Sequence, residues 1–242
     1  MNTENGEIRI SGLPVHILRK PIKNLHLGVY PPHGRVRVAA PLRMSDNAVR
    51  LAVISRLGWI KKQRARFQSQ ERQSAREYVS RESHYYLGRR YLMNVVQHDG
   101  STRIGLRKKG VLEFRVPKGM TRVSRERLLR DWYRQQLKSL IPPIVEKWEG
   151  ITGAKVAGWG VRRMKTKWGS CNSSERRIWL NLELAKKPIQ CLEYIVVHEM
   201  VHLLERRHND RFIELLDQFM PTWRLHRDEL NRAPLSHETW RY

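Results

Sequence analysis

The stretch that most constrains this chain is a pair of histidines with a glutamate beside the first one: His198-Glu199-Met200-Val201-His202. Two imidazoles four positions apart on a helix lie on the same side, roughly 6 Å apart at their roots, so both can reach one metal ion. Glu199 follows the first histidine directly and can approach a water molecule at that metal without binding the metal. This spacing is typical of zinc hydrolases.

The residues before the pair predict an uninterrupted helix. Pro188 suits a first helical turn, and no helix breaker follows it before His198. Apolar residues supply a side that packs in a core: Leu192, Ile195, Val196, Val197 and Leu203. The alternative is a buried helix whose two histidines bond to carbonyl groups or stack in the core. The adjacent glutamate and a third nearby histidine disfavour that interpretation.

His208 is the preferred third ligand, since a catalytic zinc usually takes three protein ligands. On an unbroken helix His208 would lie about 120° around the axis from His202, so the helix must stop near Glu205 and the chain must fold back. Asn209-Asp210 predict caps for a further helix over residues 211–220, which supports such a break. Two carboxylates of later segments compete for the third position: Glu214 and Glu229.

The spacing also matches the longer metzincin string, except that Glu205 stands in place of its glycine. Glycine permits a positive φ at that turn, which glutamate adopts only at a cost in free energy. A Met-turn is not evident downstream. The sequence therefore disfavours the metzincins, while the three-histidine site is retained.

Two segments upstream of the histidine pair carry a wider pattern: Trp168-Gly169-Ser170-Cys171, and Ile178-Trp179-Leu180-Asn181. A third histidine follows the pair, and an aromatic residue, Phe212, lies four positions after it. Together these segments resemble the YgjP-like family of predicted metal-dependent hydrolases, which is related to SprT-like and other zincin metallopeptidases. Weaker likeness extends over most of the chain.

The resemblance implies a zincin-like core in which three histidines bind Zn²⁺ and Glu199 is the catalytic base. The ligands would be His198, His202 and His208. Met200 and Val201 stand where leucine and alanine are usual in the family, and this leaves the site assignment intact. The family's substrates are poorly defined, so the resemblance indicates the site residues more closely than it indicates the function.

The charge of the chain is its second strong signal. The formal net charge is +24, and residues 1–200 hold 40 basic and 16 acidic side chains, whereas residues 201–242 hold seven of each. Basic residues cluster at 61–66, 122–134 and 162–167. Such a field attracts polyanions, so nucleic acid or another polyanion is a possible partner, against the alternative of a merely solvated basic surface.

Several kinds of protein are disfavoured by composition. The longest apolar runs fall short of the ~18 residues of a membrane span, and an apolar signal region is not visible at the N-terminus. Two cysteines, Cys171 and Cys191, do not make a disulfide framework. We therefore expect a cytoplasmic protein with no membrane partner. Cys171 is a further candidate metal ligand, but three histidines already suffice.

The coarse secondary structure predicts an α+β protein without an evident internal repeat. Alternating apolar residues over 7–40 indicate an antiparallel sheet, and Ser45-Asp46 predict the cap of one long helix that ends near Arg76. Further strands are expected at three places: 91–96, 103–106 and 111–116. A helix that opens at Ser124 should kink or end at Pro142-Pro143.

The second part of the chain predicts a compact zincin-like core. Short strands are expected at three places: 155–161, 166–171 and 177–181. The helix with the histidine pair and closing helices follow them. We divide the chain into a β-rich basic N-terminal domain, residues 1–120, and a zincin-like metallohydrolase domain, residues 121–242.

The chemistry that these residues favour is hydrolysis by a zinc metallopeptidase. Zinc lowers the pKa of a bound water from about 16 toward 7, and Glu199 takes the proton. Trp168, Gly169 and Ser170 would form the edge of the cleft, where a polypeptide substrate can add as an extended strand. Packing and a strand bend are the alternative roles of Trp168 and Gly169.

Two alternative functions remain open. Arg163 and Lys165 are candidate binding residues for a phosphate-containing substrate, which would make the chain a nucleotide or phosphoanhydride hydrolase. The other alternative is a nucleic-acid-binding protein with a structural zinc site. Asn181 either orients a ligand or closes a turn.

Overall fold

The computed structural model describes residues 5–30, 34–69, 76–164 and 167–232. Eleven strands lie in this part of the chain: β1 (Asn5–Ile10), β2 (Leu13–Lys20), β3 (His26–Tyr30), β4 (Arg35–Pro41), β5 (Ser83–Tyr86), β6 (Arg89–Gln97), β7 (Arg103–Arg107), β8 (Val111–Val116), β9 (Gly158–Arg162), β10 (Gly169–Asn172) and β11 (Arg177–Asn181). Its α-helices are α1 (Asp46–Ile54), α2 (Leu57–Ser69), α3 (Arg122–Thr152), α4 (Ile189–Val201), α5 (Asp210–Phe219) and α6 (Trp223–Arg232). The fold class is α+β, as expected.

Contacts divide the chain into two compact units. The described residues of 5–69 form the first unit, and those of 76–232 form the second. The division expected near residue 120 falls inside the second unit, between β8 and α3. Strands β5 to β8 lie in that unit because Met93, Leu112 and Phe114 share one core with α3.

The sheet of the first unit is mixed. Its strand order is β1-β2-β4-β3, with antiparallel pairs at both sides and a parallel pair, β2 with β4, in the centre. The expected all-antiparallel arrangement is wrong because β3 lies beyond β4 instead of between β2 and β4. One face of the sheet packs against α1 and α2 in a core of Val15, Ile17, Val36, Val38, Val49, Val53 and Ile60.

The helical segment after this sheet consists of two helices instead of one. The hydroxyl of Ser45 accepts a hydrogen bond from the backbone N–H of Ala48 at 3.2 Å, which caps α1 as predicted. α1 ends at Ile54, and a turn at Ser55 and Arg56 leads into α2. The part of the predicted helix from 70 to 75 lies outside the described residues.

The second unit opens with a sheet of the same design. Its order is β5-β6-β8-β7, again with a central parallel pair and antiparallel pairs on both sides. Each sheet leads into its helix through a turn in which a methionine N–H donates to a proline carbonyl three residues earlier, Met44 to Pro41 at 3.1 Å and Met120 to Pro117 at 3.3 Å. A hydroxyl residue caps the helix directly afterwards. The topology thus repeats, although the sequence shows no evident repeat.

Helix α3 is the central helix of the second unit. It buries one row of side chains at helical spacing: Leu129, Tyr133, Leu137, Ile141, Val145, Trp148 and Thr152. Of the two outcomes expected at Pro142-Pro143, a kink or an end, the end is wrong, because the helix continues to Thr152. A proline costs a helix about 3 kcal/mol, and the buried row continues on both sides of the exposed prolines, which offsets that cost.

The third sheet and the closing helices complete the second unit. The strand order is β10-β11-β9, so β10 is an edge strand and β11 contributes the buried Ile178 and Leu180 to the core. Helix α4 packs against α3, α5, α6 and this sheet. Among the described residues, none of the helices has both the length and the apolar content that crossing a membrane requires.

Candidate metal centre

Helix α4 holds the histidine pair firmly because nearly all of its turns are buried. Its buried residues include Leu192, Ile195, Val196 and Val197, as the periodicity predicted. Glu193 ties α4 to α3, since its Oε1 accepts hydrogen bonds from the indole N–H of Trp148 at 2.8 Å and from Nζ of Lys147 at 2.6 Å. His198 and His202 therefore lie at the end of a helix that is held firmly against α3.

The chain folds back after α4, as a third histidine ligand requires. The helix ends at Val201, and the N–H of Leu203 and of Glu205 bond to carbonyls of the last turn. The side chain of Asn209 then accepts from the N–H of Phe212 at 3.1 Å and caps α5. Within residues 202–209 the backbone makes this turn without a positive φ, so a glycine is not needed at position 205.

The turn brings three imidazoles together. Nε2 of His208 lies 3.1 Å from Nε2 of His198 and 3.1 Å from Nε2 of His202, and the three donor atoms all lie within 4.8 Å of one another. Three nitrogens around a tetrahedral zinc at about 2.0–2.1 Å would be about 3.4 Å apart. The spacing of the three rings therefore fits one zinc-sized cation.

The protonation of the rings also fits a metal site, because a ligating imidazole must be neutral. Burial, and then the neighbouring histidines, lower the pKa of His198 to about 3. Burial is also the largest cause that lowers the pKa of His202. Nδ1 of His202 lies 3.1 Å from the carbonyl of Glu205, so a proton on Nδ1 leaves the lone pair of Nε2 for a metal.

Phe212 is the common neighbour of the three histidines. Its ring centroid lies 5.0 Å from that of His198, 4.6 Å from that of His202 and 4.7 Å from that of His208. The ring is almost completely buried. The aromatic residue that follows the third histidine in the family pattern is thus a hydrophobic support for all three imidazoles.

Glu199 lies against the edge strand. Its side chain is buried, and burial raises its pKa to about 8 while Lys167 opposes this shift. A Cβ at Gly169 would lie 2.4 Å from Oε1 of Glu199, a distance that real atoms do not tolerate. Gly169 is thus needed where the carboxyl group meets β10. From the sequence, we expected a substrate to approach Gly169 closely. In the structure, the side chain of Glu199 does so.

These groups line one cleft of approximately 600 Å³. Its walls include the three histidines, Glu199 and the edge-strand residues predicted from sequence: Trp168, Gly169 and Ser170. The hydroxyl of Ser170 accepts a hydrogen bond from the guanidinium of Arg162 at 3.0 Å, and Nζ of Lys187 lies 5.5 Å from the ring centre of Trp168. A cleft of this size suits a peptide segment or a small molecule.

Of the two candidate phosphate-binding residues, the structure describes Arg163 alone. Arg163 is exposed and does not line the cleft. Lys165 lies outside the described residues. Lys167, from the same basic segment, does border the cleft, as do two cations of later segments, Arg206 and Arg227.

Asn181 closes a turn, which was one of its two expected roles. Its Nδ2 donates to the carbonyls of Met164 at 2.9 Å and Lys167 at 2.7 Å. Its Oδ1 accepts from the N–H of Met164 at 3.3 Å and of Glu183 at 3.2 Å. One buried amide thereby holds the loop that leads into Trp168 and the edge strand.

The other candidate metal ligands do not belong to the group of three histidines. Oε2 of Glu229 faces Sγ of Cys191 at 3.8 Å, and Glu214 is an exposed residue of α5. Cys171 lines the cleft, and burial, followed by Glu199, raises the pKa of its thiol to about 11, which disfavours the thiolate that a metal requires. Of the described residues, only the three histidines form a group able to hold a metal.

Tyr194 is a cleft residue that sequence reasoning missed. It lies one helical turn before His198, and the two ring centroids are 5.9 Å apart in an edge-to-face arrangement. Burial raises the pKa of Tyr194 to about 12, so its hydroxyl keeps its proton and remains a donor. The four-residue spacing to His198 was the signal that could have identified it.

Comparison with known proteins agrees with this geometry. A family model described as "YgjP-like, metallopeptidase domain" matches residues 23–233, which is most of the chain. A search of curated proteins finds no match. The family supports a metal-dependent hydrolase of the metallopeptidase kind, and the three histidines are a group that could bind the metal. On the evidence of this match, the chain belongs to the YgjP-like family.

Proposed function

We propose that the chain is a zinc-dependent metallopeptidase. In this proposal His198, His202 and His208 hold Zn²⁺, and Glu199 is the general base. The observation that carries it is the convergence of three Nε2 atoms beside a buried carboxyl group in one cleft. Family membership supports the same reaction class.

The metal, when bound, would supply a Lewis acid that polarises a peptide carbonyl and makes water more acidic. Glu199 accepts a proton from a water molecule in the cleft and passes it to the amine nitrogen that leaves. Burial raises the pKa of Glu199 to about 8, which makes its carboxylate a stronger base than that of an exposed glutamate. Tyr194 offers a hydroxyl donor on the same wall.

The position of β10 favours a polypeptide as substrate. β10 is the edge of its sheet and lines the cleft with Gly169 and Ser170. An extended peptide can pair with such an edge through main-chain hydrogen bonds, which bind many sequences alike. The basic rim formed by Lys167, Arg206 and Arg227 would favour acidic side chains near the scissile bond.

The test compares Glu199→Gln with Glu214→Gln, which changes an exposed glutamate of α5 that lies outside the group of three histidines. Both variants and the wild type are loaded with zinc, analysed for metal and assayed on a library of fluorogenic peptides. We expect Glu199→Gln to lose about 10²–10⁴-fold in kcat with one zinc retained, and Glu214→Gln to match the wild type. Equal turnover by Glu199→Gln and the wild type would refute the proposal, as would activity on nucleotides alone.

A further inference from the structure

The third sheet has two distinct faces, and its edge strand β10 contributes to both. A Cβ at Gly169 would lie 2.4 Å from Oε1 of Glu199, so position 169 faces α4. Side chains alternate along a strand, so Ser170 points to the opposite face, which we call the outer face. Ser170 pairs with Trp179 of β11, and Trp179 pairs with Gly160 of β9, which places the three residues side by side on the outer face.

An arginine reaches across this outer face to the edge strand. Arg162 is the last residue of β9, on the opposite side of the sheet from β10, and the centre of the Trp179 ring lies 5.0 Å from its Cζ. Its Nη2 donates a hydrogen bond to the hydroxyl of Ser170 at 3.0 Å. Gly160 makes room for the ring, because a Cβ there would lie 2.4 Å from it. An aromatic ring and a hydroxyl thus hold the guanidinium group beside β10.

A second arginine contacts the same ring but extends in the opposite direction. Cζ of Arg177 lies 5.8 Å from the centre of the Trp179 ring. Its Nε would lie 3.3 Å from a Cβ on Gly158, so the side chain extends over β9, away from β10. Among the described contacts of the two arginines, the hydrogen bond to the edge strand belongs to Arg162. Arg177 is therefore a matched comparison for Arg162.

Strand β10 pairs with β11 and, in the part of the chain that the structure describes, with no strand on its other side. The carbonyl of Trp168 accepts from the N–H of Asn181 at 2.9 Å. Hydrogen-bonded pairs alternate in an antiparallel ladder, so Ser170 also bonds to β11, and the backbone groups of Gly169 and Cys171 point to the open side. A peptide strand added at this edge would bond to those two residues. Its residue opposite Ser170 would place its side chain on the outer face, with about 4.5–5.5 Å between the two Cβ atoms.

The guanidinium group of Arg162 is suited to bind an acidic side chain at that position. The contact with the ring and the hydrogen bond to Ser170 leave further N–H groups of the guanidinium able to donate. Among the described residues, none of the carboxylates pairs with Arg162. A carboxylate of a bound peptide could therefore form a charge-assisted hydrogen bond with Arg162 without displacing an internal one.

We propose that Arg162 is a specificity residue of the proposed peptidase and selects an acidic side chain in the peptide residue opposite Ser170. The inference rests on the proposed function, because it places the substrate on the edge strand. The selected side chain would point away from Glu199, so Arg162 would act on substrate recognition and leave the hydrolytic groups unchanged. The basic rim of the cleft would attract acidic peptides in general, whereas Arg162 would recognise one position and disfavour a basic residue there.

The test moves one glutamate along a set of uncharged, extended peptides of about ten residues, a length that spans the edge strand. Cleavage by the zinc-loaded full chain is mapped by mass spectrometry. Because the glutamate would lie opposite Ser170, we expect the cleaved bond to be a fixed number of residues from the glutamate, wherever it stands in the peptide. Replacing that glutamate with glutamine should lower kcat/KM about tenfold.

Three variants of Arg162 separate recognition from support of the fold. Arg162→Gln should remove the preference for glutamate, Arg162→Lys should keep most of it, and Arg162→Glu should transfer it to lysine. Arg177→Gln is the matched control, because it removes an arginine from the same ring and should leave the preference within about twofold of that of the wild type. Both positions are exposed, and circular dichroism melting checks that each variant is folded.

Fluorescence anisotropy of labelled peptides with zinc-loaded Glu199→Gln measures binding without turnover. The glutamate peptide should bind about tenfold more tightly than its glutamine counterpart, and Arg162→Gln in this background should remove the difference. Cleavage without a fixed distance from the glutamate, or an equal loss of preference in Arg162→Gln and Arg177→Gln, would overturn the role of Arg162 and leave the proposed function standing. No cleavage of any peptide by the wild type, together with binding that depends on Arg162, would overturn the proposed function alone.

Discussion

The sheet of β1 to β4 and the sheet of β5 to β8 have the same strand order, the same pairing directions and the same turn into the following helix. Their surroundings differ. The first sheet packs on two short helices in a core of its own, whereas the second packs on α3, which shares its core with α4. The same design thus has a separate core in one unit and contributes to the core behind the candidate metal site in the other.

The two sheets carry different side chains at corresponding positions. When the strands that lead to Pro41 and Pro117 are aligned on these two prolines, Arg37 corresponds to Glu113, and Tyr30 corresponds to Arg107. In the second sheet the hydrogen bond from Arg107, followed by that from Arg115, lowers the pKa of Glu113. In the second sheet one carboxylate thus pairs with two arginines.

The largest effect that we predict in the Discussion is a loss of kcat when alanine replaces one glycine of the second unit but not another. Gly169→Ala should lower kcat about 100-fold with zinc retained, because the new Cβ would displace the Glu199 carboxyl group and a shift of about 1 Å is enough for such a loss. Gly105→Ala is the control, since its Cβ would meet no atom within 4 Å. Steady-state kinetics and metal analysis check this. If both variants keep wild-type kcat, the contact between Gly169 and Glu199 has no role.

The next largest effect concerns stability, when the side-chain amide of Asn181 is removed. Asn181→Ala should lower the free energy of unfolding of the second unit by about 3 kcal/mol, because several backbone groups lose a buried partner. Asn172→Ala, which removes one exposed hydrogen bond to Glu175, should cost less than about 1 kcal/mol. Hydrogen exchange should show faster exchange in the second unit and unchanged rates in the first. Equal destabilisation by the two variants would contradict the role of Asn181.

Much of the metal site followed from the sequence because it depends on local rules. The four-residue spacing of His198 and His202 places both rings on one side of a helix, and Asn209 is a strong cap that predicts where the next helix begins. Because these signals act within a few residues, they also predicted the turn that brings His208 back.

Features that depend on distant contacts were not predictable in this way. The contact between Gly169 and Glu199 joins a strand and a helix 30 positions apart, and the glycine alone indicates only that something approaches closely. The continuation of α3 through Pro142-Pro143 depends on tertiary packing that outweighs local preference. The repeated strand order is not visible in the sequence because few equivalent positions, such as Pro41 and Pro117, keep the same residue.

The most direct test of the three-histidine metal site is anomalous X-ray scattering at the zinc edge, on crystals of the zinc-loaded chain. We expect one peak that lies about 2.0–2.1 Å from Nε2 of His198, His202 and His208, and its loss in His208→Ala. A map with no peak within reach of the three rings, or with the ring of His208 turned away from the other two, would contradict it.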